Sequence, residues 1–132
     1  MASALYSSYK QSLLDSSCPN LNTGTIKVTL VDTADYTFSA AHNFEDDITG
    51  AGEVAIGTLD STTIASGKFD AADEVLTSVS GDSSESLVIW EDTSGGADAD
   101  PLVCYIDGFS VTPNGGDITI QWDSGSNGIF TF

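Results

Sequence analysis

Basic residues are scarce in this sequence of 132 residues, which contains only three lysines and no arginine. Its 20 acidic residues leave a formal net charge of -17 at pH 7. Proteins that bind nucleic acids neutralise phosphates with lysine and arginine, and anionic membranes attract the same basic side chains. The composition therefore excludes a nucleic-acid reader and a protein that docks on an anionic membrane.

Cysteine and histidine are also rare, because the sequence contains only two cysteines, Cys18 and Cys104, and one histidine, His42. Two cysteines without a metal or redox spacing predict no zinc site and no redox site. A disulfide between the two cysteines remains an alternative, but the sequence favours an interpretation in which Cys104 is a small buried residue of a strand. We expect His42 to be a solvent-facing loop residue. These counts predict no metal and no cofactor.

Catalytic and targeting motifs are missing too. The sequence has no G-x-S-x-G, P-loop, GxGxxG or CxxC motif, and with so many carboxylates no acid–base pair stands out. We therefore expect no catalytic residue and no enzymatic activity. Residues 1–10 lack the basic and apolar regions of a signal peptide, and no apolar run approaches the ~20 residues of a transmembrane helix. We therefore expect the protein to be synthesised in the cytoplasm.

Calcium is the one cation that the abundant carboxylates and loops would suit. Residues 123–128 resemble the start of a calcium loop but lack its third ligand and its closing glutamate. Asp98 and Asp100, with Glu91 and Asp92 nearby, form a second acidic loop. We interpret both as solvated loops and expect no metal ligand.

Short apolar runs between turns are what the sequence does contain. Residues 85–122 predict three antiparallel strands: two runs covered on both faces, LVIW and LVCYI, and one half-buried strand, DITIQW. Alternation also predicts a half-buried strand at 25–31, and weaker strands at 53–59, 62–65, 67–70, 75–79 and 129–132. Residues 36–38 are a short strand or an extended segment, and 39–48 an excursion over the surface anchored by Phe44 and Ile48.

An apolar stripe at helical spacing predicts one helix at residues 4–15, with Ser3 as its cap. We expect it to dock on its own sheet, while contact with a neighbouring subunit remains the alternative. The sequence thus predicts a single mainly β domain (residues 1–132). It is an antiparallel β-sandwich or flattened barrel (21–132) preceded by a short N-terminal helix and arm (1–20).

Seven sequence motifs together resemble a small family of structural proteins that tailed bacteriophages encode near their head genes. The motifs are K-x-x-L-L at 10–14, TIKV-x-LVDT-x-x-Y at 25–36, S-x-x-H-x-F at 39–44, FDA-x-D-x-x-x-x-x-VSGD at 69–82, E-x-LVI-x-x-DT at 85–93, PL-x-x-YID at 101–107, and TPNGGDITI-x-WD-x-G-x-x-x-IF at 112–130. They span nearly the whole chain and mark a fold rather than a chemistry. The loop at 108–111 is shorter than the family pattern implies.

The resemblance implies a virion protein: a capsid decoration (cement) protein on the outside of an HK97-type shell, with the major capsid protein as partner. Self-association as a trimer or dimer is expected, since uncovered sheet edges favour symmetric assembly. Candidate contacts with the shell or with other subunits are Leu5, Tyr6, Tyr9, Leu13, Phe130 and Phe132. Burial of these residues in the core of the monomer is the alternative.

Two other functions remain open. The first is a tail or head–tail connector component, which would be present in fewer copies. The second is a carbohydrate-binding head fibre or adhesion module, in which Trp90, Trp122, Tyr36 and Tyr105 would stack on sugars.

Overall fold

The two longest strands lie side by side at the centre of the largest sheet. The computed structural model describes residues 3–50 and 52–132. Its helix is α1 (Ser7–Asp15), and a single 3-10 turn covers Glu45–Asp47. The strands are β1 (Ala4–Leu5), β2 (Thr25–Val31), β3 (Glu53–Thr58), β4 (Thr63–Ala65), β5 (Lys68–Asp70), β6 (Glu74–Leu76), β7 (Ser86–Asp92), β8 (Leu102–Ile106), β9 (Ile118–Ile120) and β10 (Phe130–Thr131).

The strands form three antiparallel sheets. The largest has the order β1-β8-β7-β2-β3, and two smaller sheets have the orders β10-β5-β4 and β6-β9. Within the described residues no sheet closes into a barrel, so the arrangement is consistent with a sandwich. The predicted fold class, mainly β and antiparallel with one helix near the N-terminus, is confirmed.

Both faces of the large sheet are covered, as the unbroken apolar runs of β7 and β8 predicted. Leu87 and Ile89 of β7 belong to a core cluster that also contains Phe69, Leu76 and Ile120 of the smaller sheets. Val88 and Trp90 belong instead to a second cluster, with Tyr6, Tyr36, Ile48 and Tyr105. Successive strand residues point to opposite faces, so β7 separates the two clusters.

The prediction that residues 85–122 form one three-stranded unit is wrong for the third strand, β9. Strands β7 and β8 pair as expected, but β9 pairs with β6, and the other neighbour of β8 is β1. The alternation in β9 is nevertheless confirmed, because Ile120 is buried while Thr119 and Gln121 are exposed.

The helix begins later than predicted. Residues 4–5 form β1, where Ala4 and Leu5 pair with Tyr105 and Cys104 of β8. Ser3 does not cap the helix, since the N-cap residue is Tyr6 and lacks a side-chain cap. Instead, Ser3 Oγ accepts the Asp107 N–H at 3.0 Å. Hydrogen bonds to the sheet edge therefore outweigh helix propensity at this end. Residues 1–2 of the predicted arm lie outside the described residues.

Residues 36–48 do more than cross the surface. No strand forms at 36–38, but Tyr36 and Ile48 are buried in the second core cluster. The 3-10 turn is held by Glu45 N–H, which donates to Asp100 O at 2.8 Å. This segment therefore covers one face of the large sheet.

Candidate interaction surface at the two ends of the chain

The two ends of the chain meet beside helix α1. The ring of Tyr9 in α1 packs edge-on against Phe130 of β10, with 6.2 Å between centroids. Phe130 also contacts Phe69 at 5.5 Å and Phe132 at 5.9 Å. Backbone hydrogen bonds from Ile129 N–H to Phe69 O (2.8 Å) and from Phe132 N–H to Gly67 O (3.0 Å) fix the last residues to β5. The aromatic contacts thus join the helix to the C-terminal strand.

The N-terminal strand borders the same region. Leu5 and Phe130 both line a cavity of about 220 Å³ that also touches Cys104 and Ile129. Leu13 lies one helical turn beyond Tyr9, so both side chains are on the same face of α1. We call Leu5, Leu13, Phe130 and Phe132 the terminal surface.

The candidate contact residues differ in exposure. Phe132 is 74% exposed and Leu13 is 38% exposed, whereas Leu5 and Phe130 are half-buried. Tyr6 and Tyr9 are buried in the monomer. Leu14, part of the predicted stripe but not of the predicted contacts, is 89% exposed. Of the predicted contact residues, only the four of the terminal surface therefore remain accessible to a partner.

Tyr6 lies on the opposite side of the large sheet from Leu5. Its hydroxyl is 2.9 Å from the Tyr36 hydroxyl, which in turn lies 2.9 Å from His42 Nδ1. His42 is therefore half-buried and hydrogen-bonded rather than facing solvent as predicted. Burial is the main cause that raises the pKa of both tyrosines. A raised pKa opposes formation of a phenolate, so both hydroxyls stay protonated and hydrogen-bonded at neutral pH.

The two cysteines are free. Cys104 is buried in β8, as predicted, and burial raises the pKa of its thiol to about 12. Such a thiol is inert, because the thiolate is the reactive form. Cys18 is exposed.

In the acidic loops considered for calcium, carboxylates accept hydrogen bonds from the backbone, either of the same loop or, for Glu91, of a distant segment. Asp100 Oδ1 accepts hydrogen bonds from Thr93 N–H at 2.8 Å and Thr93 Oγ1 at 2.7 Å. Asp92 Oδ1 accepts from Ser94 N–H, and Glu91 Oε2 from Asn20 N–H, both at 3.0 Å. In the last loop Asp123 Oδ1 accepts from Gly125 N–H at 2.8 Å. These carboxylates stabilise turns.

One acidic group was not foreseen. Asp32, Asp35 and Asp82 place one carboxylate oxygen each within 4.8 Å of one another, and Asp32 is buried. Asp32 Oδ1 accepts the Ala34 N–H at 2.8 Å. The turn after β2 and the turn before β7 bring these residues together, so no local sequence pattern reveals the group.

A second unforeseen feature is a pair of glutamates. Glu45, in the 3-10 turn, is 6% exposed, and the Oε2 atom of Glu53 at the start of β3 is buried. Burial and the neighbouring Glu45 carboxyl raise the pKa of Glu53 to about 7. Glu53 therefore binds a proton much closer to neutral pH than an ordinary glutamate does.

The residues suggested for sugar stacking are mostly core residues. Trp90, Tyr36 and Tyr105 are buried, and Trp90 Nε1 donates to Thr29 Oγ1 at 2.8 Å. Trp122 is half-buried. Only Trp122 has ring surface near solvent, so the arrangement lacks a stacking platform built from the four predicted residues.

Comparisons with known proteins identify no relative. No protein-family model matches the chain, and a search of curated proteins finds no match. Within the described residues, no helix has the length and apolar character needed to cross a membrane.

Proposed function

We propose that this protein is a structural component of a tailed-phage virion, a decoration protein that binds the outside of the capsid shell. The proposal rests on the sequence motifs at residues 10–130 and on the terminal surface. A virion role also suits the net charge of -17, because a shell protein has no need to bind DNA.

The terminal surface is the observation that carries the proposal. Phe132 is 74% exposed, although its ring contacts Phe130, which itself packs onto Tyr9 and Phe69. Exposed apolar residues on a well-packed base are typical of contact sites with other proteins. Many copies on a shell would add small contacts of this kind through multivalency.

Shell binding tests the contact directly. We expect Phe132→Ala to weaken sedimentation with undecorated shells at least about tenfold, the loss typical of a contact hot spot. The matched control is Ile56→Ala, an apolar residue of comparable size that is 45% exposed on β3. Strand β3 forms the edge opposite β1. Equal losses in both variants, or none in either, would contradict a contact at the terminal surface.

Copy number tests the role. Quantitative mass spectrometry of purified particles should give a ratio to the major capsid protein of one, or a simple fraction of it. A handful of copies per particle would favour the tail or head–tail connector alternative instead. Absence from the particles would refute the virion proposal. A glycan panel monitored by tryptophan fluorescence tests the adhesion alternative, for which the buried Trp90, Tyr36 and Tyr105 offer little support.

A further inference from the structure

A pair of carboxyl groups joins the 3-10 turn to the start of strand β3. Glu45, in the turn, is 6% exposed, and its carboxyl is the neighbour of the Glu53 carboxyl. Glu53 Oε2 is buried and has no hydrogen-bond donor among the described residues. An ionised carboxylate only accepts hydrogen bonds, so two adjacent carboxyl groups bind each other only while one of them keeps a proton. Without that proton the same two groups repel each other.

The surroundings of the pair favour a proton on Glu53. Burial and the Glu45 carboxyl together raise the pKa of Glu53 to about 7. The charged residues that the structure places around the pair are acidic. They are Asp32, Asp35 and Asp82, which line a hollow of about 260 Å³ together with Glu53, then Asp46 and Asp47 in the turn, and Asp100 in the loop that the turn packs against. Like charges oppose a further ionised carboxylate, so Glu53 keeps its proton until the pH approaches neutrality.

The turn is held to the large sheet at two separate strands. On the β8 side, Glu45 N–H donates to Asp100 O at 2.8 Å, and Leu102 N–H donates to Asn43 O at 3.0 Å. On the other side the glutamate pair connects the turn to β3, and strands β7 and β2 lie between β8 and β3. Ile48, directly after the turn, is fully buried in the second core cluster. The turn therefore spans the sheet and covers this cluster, and the pair is its attachment at β3.

From this arrangement we infer that the glutamate pair is a proton-dependent latch. With its proton, Glu53 donates a hydrogen bond to the Glu45 carboxylate and holds the turn against β3, which keeps Ile48 over the second core cluster. When the proton is lost, the two carboxylates repel each other and the turn opens on the β3 side. This inference is independent of the proposed virion role.

Amide hydrogen exchange of the full chain at about pH 5.5 and about pH 8, corrected for the intrinsic pH dependence of exchange, measures opening of the latch. Opening should rise about tenfold at the N–H groups of Glu45, Asp46 and Leu102, which are hydrogen-bonded between the turn and the β8 side. A pKa that is 4.5 in the open state and about 7 in the closed state changes their ratio by that factor, after allowance for partial exposure. The N–H groups of Ile129 and Phe132, bonded to β5, are the internal control and should change little.

Three conservative variants assign the effect to Glu53. Glu53→Gln keeps a donor for Glu45 that cannot be lost as the pH rises, so it should abolish the pH difference and leave the turn closed at pH 8. Asp46→Asn is the matched control, because it removes one negative charge from the same turn but is exposed and outside the pair. His42→Gln is a second control, since histidine is the residue type that ordinarily changes charge near neutral pH. Both controls should keep the pH difference.

The native chain decides the matter even where a variant does not fold. Equal opening of the turn amides at both pH values would overturn the latch. It would also be overturned if these amides were as protected as those of the central β2–β7 pair and shared their pH dependence, because the glutamates would then stabilise the whole fold rather than the turn. A Glu53→Gln variant that keeps the native pH difference would overturn the role of Glu53.

Discussion

Thr29 shows how one buried polar residue can be required in an apolar strand. Alternation in β2 placed Thr29 on the wet face, yet it is fully buried and its hydroxyl accepts the N–H of Trp90 at 2.8 Å. We expect Thr29→Val to lower the free energy of unfolding by about 1–3 kcal/mol, because the indole N–H is left unpaired. Urea denaturation measures this.

A double-mutant cycle with Trp90→Phe is the control for Thr29. Without the indole N–H, Thr29→Val removes no hydrogen bond and should cost much less than in the native background. The same cost in both backgrounds would show that packing, rather than the hydrogen bond, explains the loss.

Glu53 should make stability depend on pH around neutrality. Its pKa is raised from 4.5 to about 7, so the folded state binds its proton more tightly than the unfolded state. Stability from this group is therefore complete below about pH 4.5 and is lost as the pH rises to about 7. We expect Glu53→Gln to remove this loss and to be more stable than the native protein at pH 8 by about 1 kcal/mol, a figure reduced for partial exposure.

Urea denaturation across this pH range measures the Glu53 effect. Asp98→Asn, in an exposed loop, is the control that also removes one negative charge. It should retain the slope of the native protein. A Glu53→Gln variant with the native slope would show that Glu53 does not titrate in this range.

At the scale of elements, the β4–β5 hairpin depends on a two-residue turn. Ser66 and Gly67 have positive φ angles of 53° and 78°, the type I′ pattern for which Asn-Gly is preferred. We expect Ser66→Asn to raise the free energy of unfolding by about 0.5 kcal/mol, because asparagine adopts the left-handed conformation more readily than serine. Thermal denaturation is a suitable measurement.

Ser124→Asn is the control for the hairpin variant, since Ser124 is exposed and is not among the positive-φ residues. It should leave stability unchanged. Gly67→Ala should act in the opposite direction and destabilise the protein, because alanine is strained at φ 78°. Stabilisation by both asparagine variants would point to a general effect of asparagine instead.

Strand positions were predictable from the sequence, whereas strand partners were not. Strands β2 and β8 match their predicted bounds because local alternation and apolar runs reveal burial. The pairing of β9 with β6, and of Ala4 and Leu5 with β8, joins segments far apart in the chain. Local pattern carries no information on which edge a strand meets, so these pairings appear only in the structure.

The candidate interaction surface was likewise predictable from the sequence only in part. The sequence identified apolar residues at both chain ends, and the structure brings Leu5, Tyr9, Phe130 and Phe132 into one region. Exposure was not predictable, because the helical stripe contains buried Tyr9 and exposed Leu14 alike. The glutamate pair was not predictable for a related reason. Nothing in the sequence distinguishes Glu45 from the other acidic residues, and only the fold buries it beside Glu53.

At the scale of the whole molecule, repulsion among the acidic residues opposes folding. The sequence has only three lysines to balance 20 acidic side chains. The ion pair between Lys68 and Asp70, with 3.4 Å between Nζ and Oδ2, lies near the surface and contributes little to stability. Asp32, Asp35 and Asp82 concentrate this repulsion where β2 ends and β7 begins. The compact state holds these charges closer together than the unfolded chain does, and it therefore gains more from screening.

Salt should consequently stabilise the protein. Raising NaCl from about 0.01 M to 1 M shortens the screening length from about 30 Å to about 3 Å, and we expect Tm to rise by about 5 °C or more. Calorimetry at neutral pH measures this, and the same series at pH 4 is the control, because protonation of many carboxylates removes much of the repulsion. A smaller rise at pH 4 would assign the effect to charge. Equal rises at both pH values would instead assign it to the general strengthening of apolar burial by salt.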